Sequence, residues 1–233
     1  MPIIVAAILI FAALIPATSN AQDRMHDDWA SLGRYREANA ALPPPARSEK
    51  RVVFMGDSIT EGWARFFGTE FPGKPYVNRG ISGQTTPQML VRFRQDVIDL
   101  HPAVVVILGG VNDIAGNTGP ETPEMIESNL MSMIDLARAN GIAVVLCSVL
   151  PANRFPWRPD LAPARDIVRL NTWMQNYATK QRLTWVDFHS AMADERQGLP
   201  AALSADGVHP NESGYRVMAP LVERGIARAL RQR

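Results

Sequence analysis

Five short runs of consecutive apolar residues, separated by helical stripes, constrain the fold of this chain more than any other feature. They are Val52-Val53-Phe54-Met55, the weaker Tyr76-Val77-Asn78, Ala103 to Leu108, Ile142 to Val149, and Leu183 to Val186. A strand with one face in water alternates apolar and polar residues. A strand covered on both faces is apolar throughout, which is the habit of parallel sheets. Between the runs, apolar residues recur at helical spacing: Met89, Leu90, Phe93, Val97 and Leu100; Ile126, Leu130, Met133, Ile134 and Ala137; Ile167, Leu170, Met174 and Tyr177; Tyr215, Met218, Val222 and Ile226. Thr122 and Pro123 fit the start of the second helix, Gly141 fits its end, and Pro220 predicts a kink in the last. Repeated strand–helix units give an α/β fold, a three-layer αβα sandwich around a parallel sheet. Ligands of such sheets sit outside the carboxyl ends of the strands, so the loops after the strands are where chemistry is expected.

A chain of 233 residues suits one such domain, placed here at residues 51–233. Residues 22–50 read as a leading helix on Trp29, Leu32 and Tyr35, followed by the stiff connector Leu42-Pro43-Pro44-Pro45. Residues 1–21 read as a signal peptide: 13 apolar residues from Ile3 to Ile15, then a small-x-small site at Ser19 and Ala21. No Lys or Arg precedes the run, and an uncleaved anchor is the alternative. The run is short for a bilayer, which takes about 20 residues, so a periplasmic or secreted protein with no stable membrane span in the mature chain is expected. The 24 basic and 23 acidic side chains nearly cancel, which argues against a broad nucleic-acid-binding surface. The single cysteine, Cys147, excludes an intramolecular disulfide and reads as a small buried hydrophobe.

Each informative motif adjoins a predicted element end. Gly56-Asp57-Ser58-Ile59-Thr60 follows the first strand, Asn78-Arg79-Gly80-Ile81-Ser82-Gly83 the second, and Gly109-Gly110-Val111-Asn112-Asp113 the third. Asp206-Gly207-Val208-His209-Pro210 precedes the last helix. A serine hydroxyl is a poor nucleophile unless a base takes its proton, and an imidazole titrates in the right range to do so. Asp206, three residues before His209, is close enough to fix its tautomer and stabilise the imidazolium. The Ser58 N–H, the Gly83 N–H and the Asn112 side-chain amide are the candidate donors for an oxyanion. The expected catalytic residues are therefore Ser58, Asp206 and His209.

These segments resemble the four sequence blocks of the SGNH hydrolases, the GDSL lipase/esterase family. Gly56-Asp57-Ser58 resembles the nucleophile block, Gly83 the glycine of the second, Asn112 the asparagine of the third, and Asp206-x-x-His209 the last; Ile59 stands where the family name has Leu. The resemblance implies a flavodoxin-like sandwich with a five-stranded sheet in the order 2-1-3-4-5. It further implies ester hydrolysis through an acyl-serine intermediate, without metal or other cofactor, and a nucleophile carried on a loop. Export and an aromatic loop favour a short acyl group, acetyl foremost, on a small-molecule or glycan ester. A longer-chain lysophospholipase or thioesterase and a catalytically silent carbohydrate binder are the alternatives.

Around this set, Trp63, Phe155 and Trp157 are expected to line the substrate pocket. Phe155 and Trp157 belong to the loop Pro151–Pro163, beside Arg154 and Arg158; Ala115–Thr122, with Gly116 and Gly119, is a second pocket-shaping loop. Asp57 is expected to brace the nucleophile, and Asp113 to order its loop. Asp187 and His189 read as structural or as pocket rim. His26 and His101 lie outside the motifs and show no metal-ligand spacing. Arg92, Arg94, Arg138, Arg165 and Arg169 read as solvated helix faces.

Overall fold

A computed structural model describes residues 28–232; the signal-peptide reading of residues 1–21, and His26, fall outside the described residues. Strands β1 (Val52–Gly56), β2 (Tyr76–Gly80), β3 (Val104–Leu108), β4 (Ala143–Cys147) and β5 (Thr184–Val186) form one parallel sheet in the order β2-β1-β3-β4-β5. Every residue of β1 and β3 is buried, so a continuous apolar run produces a strand covered on both faces. Helices α2 (Ser58–Trp63), α8 (Phe188–Met192) and α9 (Glu212–Arg231) cover one face. Helices α4 (Thr86–Asp96), α6 (Pro123–Ala139) and α7 (Ala164–Gln181) cover the other, while α1 (Arg36–Ala41), α3 (Phe67–Glu70) and α5 (Val111–Ile114) are short.

The register decides where the loops emerge. Gly56 pairs with Gly80 on one side and Leu108 on the other, so three strands end level at one edge. The Gly56–Gly80 pair leaves no room for side chains. A Cβ on Gly80 would lie 2.1 Å from the Glu61 nitrogen, inside the first turns of α2. Only glycine lets β2 end against the helix that follows β1.

Two expectations shift. The helix expected on Trp29, Leu32 and Tyr35 is a series of turns, and α1 begins only at Arg36. Those turns are held by side chains of α4: Gln88 Nε2 donates to the Trp29 carbonyl (2.5 Å) and Gln95 Nε2 to the Leu32 carbonyl (2.7 Å). Tertiary hydrogen bonds here override a helical period. The run expected to be strand through Val149 stops at Cys147, because Asn171 takes over: its Oδ1 accepts from Val149 N (2.8 Å) and its Nδ2 donates to Val149 O (2.9 Å). Pro220 sits inside a single continuous α9, on its exposed side. The carbonyl four residues earlier, which proline leaves without its helical donor, belongs to the exposed Arg216.

Arg92 corrects the reading of a solvated face, because it is wholly buried. It sits on the same stripe as Met89, Phe93 and Asp96. Nη1 pairs with Asp96 (3.0 Å), Nε donates to Gln84 Oε1 (2.5 Å) and Nη2 to the Gly56 carbonyl (2.9 Å). One guanidinium, whose fork of donors fits several acceptors at once, ties the end of β1 to the loop after β2 and to α4. Arg92→Met leaves Asp96 as a buried charge without its partner and is expected to cost about 3–5 kcal/mol in denaturant unfolding. The double variant Arg92→Met/Asp96→Asn should recover part of that loss. A single-variant loss below about 1 kcal/mol would show that the ion pair does not hold these segments together.

Candidate active site

Ser58 opens α2 rather than lying on a loop, as the resemblance had implied. Asp57 is the N-cap, and its Oδ1 accepts from Ile59 N (2.9 Å). The Ser58 N–H therefore falls in a first helical turn, where backbone N–H groups have no partner inside the helix. Burial pushes the Asp57 carboxyl up to about 6, against the pull of the Ile59 N–H and of His209. Its Oδ2 is buried without a hydrogen-bond partner.

His209 reaches Ser58 from the loop before α9. Ser58 Oγ lies 2.9 Å from His209 Nε2, and His209 Nδ1 lies 2.7 Å from Asp206 Oδ2. Asp206 Oδ1 accepts from Val208 N (2.9 Å), His209 N (2.8 Å) and Ser204 Oγ (3.1 Å). Burial works to raise the Asp206 carboxyl, but hydrogen bonds from the His209 side chain and the His209 and Val208 N–H groups outweigh it and bring it down to about 2. Asp206 is thus an anion throughout the neutral range, which suits a partner for imidazolium.

The two loops are locked together behind the site. Trp63, expected in the pocket, is instead 1% exposed. It stacks on Tyr215 of α9 (centroids 5.5 Å apart) and meets Phe54 edge-on (5.7 Å). Tyr215 also donates its hydroxyl to the Ile59 carbonyl (2.8 Å). The helix after Ser58 and the helix after His209 therefore share one aromatic contact, which sets the distance between hydroxyl and imidazole.

The remaining two motifs close the site. Ser82 N donates to Glu61 Oε2 of α2 (2.9 Å), which pins the loop that carries Gly83. Gly83 has φ +77°, a left-handed conformation that glycine adopts without strain. Asn112 is buried in α5, with Nδ2 donating to the Gln84 carbonyl (2.9 Å). Asp113 turns the other way and accepts from Thr86 N (2.8 Å) and Thr86 Oγ1 (2.5 Å). Burial raises its carboxyl to about 7 despite those two donors, with Glu121 close by adding to the rise.

Of the two other pocket candidates, Phe155 is fully buried and corrects to a support. Trp157 is 40% exposed, stacks on Phe155 (5.1 Å) and has its ring 6.1 Å from that of His209. Asp187 caps α8, accepting from Ser190 N (2.9 Å) and Ser190 Oγ (2.6 Å), and His189 is buried, so the two form no second dyad. Burial in β4 raises the Cys147 thiol far above its ordinary value, and the thiol is inert. Among the described residues no group of three or more His, Cys, Asp and Glu is placed to hold a metal ion, and no helix is long and apolar enough to cross a membrane.

Sequence reasoning missed Gln84, Arg92, Asn117 and Tyr215. A signal existed for Arg92, which lies at i+3 from Met89 on an apolar stripe with a carboxylate four residues on. Tyr215 was legible as apolar stripe but not as the donor to Ile59. Nothing local marks Asn117, whose Nδ2 donates to Asn112 Oδ1 (2.9 Å), because Gly116-Asn117-Thr118-Gly119 reads only as a turn.

A hydroxyl, an imidazole and a carboxylate in hydrogen-bonded line, at the carboxyl edge of a parallel sheet, form the arrangement of a serine hydrolase. The profile of the GDSL-like lipase/acylhydrolase family matches residues 54–217. Esterase TesA of Pseudomonas aeruginosa is 30% identical over 173 residues, which cover 68% of this chain and 79% of the relative. An acetylxylan esterase of Geobacillus stearothermophilus is 27% identical over 208 residues, covering 74% of this chain and 91% of that one. A crystal structure of a GDSL-like lipase from Bacteroides thetaiotaomicron superposes with a TM-score of 0.84 at 45% identity, over 87% of this chain and 100% of the other. The chain belongs to the GDSL-like lipase/acylhydrolase family, within the SGNH hydrolases, and is a carboxylic ester hydrolase.

The Asp57 environment gives a stability prediction. A carboxyl near 3.9 in the unfolded chain and about 6 in the fold binds its proton more tightly when folded. It therefore removes stability as pH rises from about 4 to 6, on the order of 2–3 kcal/mol, with no further change above. Asp206 acts with the opposite sign, and only below about pH 4. Asp57→Asn keeps the acceptor for Ile59 N and cannot ionise. Its Tm should gain on the wild type between pH 4 and 6 and then hold the gain; a pH-independent Tm difference would contradict the raised carboxyl.

Proposed function

We propose that this esterase hydrolyses short-chain acyl esters, acetyl esters of carbohydrates foremost, through an acyl-serine intermediate. The observation that carries this reading is the line from Ser58 Oγ to His209 Nε2 (2.9 Å) and from His209 Nδ1 to Asp206 (2.7 Å). Ser58 Oγ attacks the ester carbonyl while its proton passes to His209 Nε2. Asp206 holds the ring in the tautomer that leaves Nε2 free to accept, and stabilises the imidazolium that results. The Ser58 N–H, the Gly83 N–H and Asn112 Nδ2 bind the oxyanion, where charge develops during the reaction. Collapse of the tetrahedral intermediate passes the proton from His209 to the leaving alcohol. Water then attacks the acyl-serine with His209 again as base, and the carboxylic acid leaves.

Two observations support a glycan alcohol. Trp157 presents a half-exposed indole beside His209, a flat apolar surface of the kind that stacks on a sugar ring. The acetylxylan esterase relative spans most of this chain. An ester of an extracellular glycan also fits residues 1–21 read as an export signal.

Ser58→Ala should abolish turnover of a short-chain aryl acetate, and Asn112→Ala should lower kcat by about 10²–10³. His209→Ala should also abolish nearly all turnover, since Ser58 then has no base to take its proton. With one leaving group, acetyl and butyryl esters should turn over much faster than the dodecanoyl ester. A preference for dodecanoyl would replace this reading by a long-chain acyl hydrolase. Binding of acetylated sugars without turnover would replace it by a silent binder.

A further inference from the structure

An asparagine amide can face a site with either its oxygen or its nitrogen, and only the nitrogen donates to an oxyanion. For Asn112, two neighbours choose. Asn117 Nδ2 donates to Asn112 Oδ1 (2.9 Å), and Asn112 Nδ2 spends one hydrogen on the Gln84 carbonyl (2.9 Å), leaving its second hydrogen for a ligand. A flipped Asn112 would set two donors against each other at Asn117 and two acceptors at Gln84.

The orientation of Asn117 is itself fixed. Trp157 Nε1 donates to Asn117 Oδ1 (3.2 Å), and an indole nitrogen is a donor only. Asn117 must therefore turn its oxygen to Trp157 and its nitrogen to Asn112. The same nitrogen lies 3.3 Å from the Gly83 carbonyl, the residue whose N–H is the second donor. The backbone holds the turn in place: Asn117 N donates to the Asn112 carbonyl (3.0 Å), and Gly116 and Gly119 flank it with φ of +70° and +117°. Arg158 Nη1, donating to the Ala115 carbonyl (2.6 Å), joins the turn to the Trp157 loop.

We propose that Asn117 is a positioning residue that, with its orientation set by Trp157, fixes the amide of Asn112 with nitrogen toward the oxyanion. This inference rests on the reading of Asn112 as an oxyanion donor. It makes the aromatic wall and the oxyanion site one hydrogen-bonded unit, so contacts a substrate makes with Trp157 reach the donor that stabilises the transition state. Residues that act as one unit are non-additive, and that property is what can be measured.

The test is a double-mutant cycle on a short-chain acetate ester, with kcat and KM separated and folding checked by Tm. Asn117→Ala should lower kcat by roughly tenfold with KM little changed, as loss of an orienting partner does elsewhere. The same change made in Asn112→Ala should have no further effect. Asn117→Asp is nearly isosteric, still accepts from Trp157 and cannot donate to Asn112, so it should lose kcat as Asn117→Ala does. Trp157→Phe, which keeps the ring and removes the donor, should lower kcat in the same direction. Wild-type kcat in Asn117→Asp, or additive losses in the double variant while Asn112→Ala alone is impaired, would overturn the positioning role. Full rate in Asn112→Ala would instead remove Asn112 from the oxyanion site, and this proposal with it.

Discussion

The site depends on three parallel strands that end at one level. Gly56, Gly80 and Leu108 are register partners, so the three segments that follow them leave the sheet side by side. Parallel pairing fixes which residues are neighbours, and a slip of one residue would exchange the side chains that face the two helix layers and move the strand ends out of line. Glycine at position 80 is what lets the second strand close against the start of α2. Given that edge, Ser58, Gly83 and Asn112 need little further placement. Only His209 must come from far along the chain, and the Tyr215–Trp63 stack with the bond from Tyr215 to Ile59 supplies its distance.

The carboxylates around the site divide by their surroundings. Asp57 and Asp113 are buried with few donors, and both are raised into or toward the neutral range. Asp206, ringed by N–H groups and the imidazole, is lowered to about 2. The residue type is the same; what differs is whether donors outweigh burial. The anion next to His209 is thus maintained by local geometry, while the carboxyls that brace the neighbouring loops carry a stability cost as they ionise.

Much of this was legible in the sequence, for a physical reason. Fully buried strands must be apolar without alternation, which marked β1 and β3 outright and the part-buried β2, with Asn78 and Arg79 in it, only weakly; the parallel α/β rule located the loops that matter. Ser58, Gly83, Asn112, Asp206 and His209 could be named as candidates because their chemistry is local to short motifs in the right order. What was not legible is long-range. Arg92 is an ordinary helix-surface residue until α4 turns it inward to Gly56 and Asp96. Trp63 and Phe155 suggested pocket lining because aromatics suit both core and site, and only packing decides between them. Asn117 lies in a turn whose sequence signals nothing beyond a turn. The segment at 29–35 kept a helical period yet is held as turns by side chains of α4.

The most direct test of the account is capture of the acyl-enzyme. Mixing the protein with an excess of an activated acetate ester, quenching in acid and measuring intact and peptide masses should show one acetyl group, located on Ser58. The adduct should be absent in Ser58→Ala and should form far more slowly in His209→Ala. An acetyl group on another residue in an enzyme that turns over, or turnover that persists in Ser58→Ala, would contradict a mechanism built on this serine.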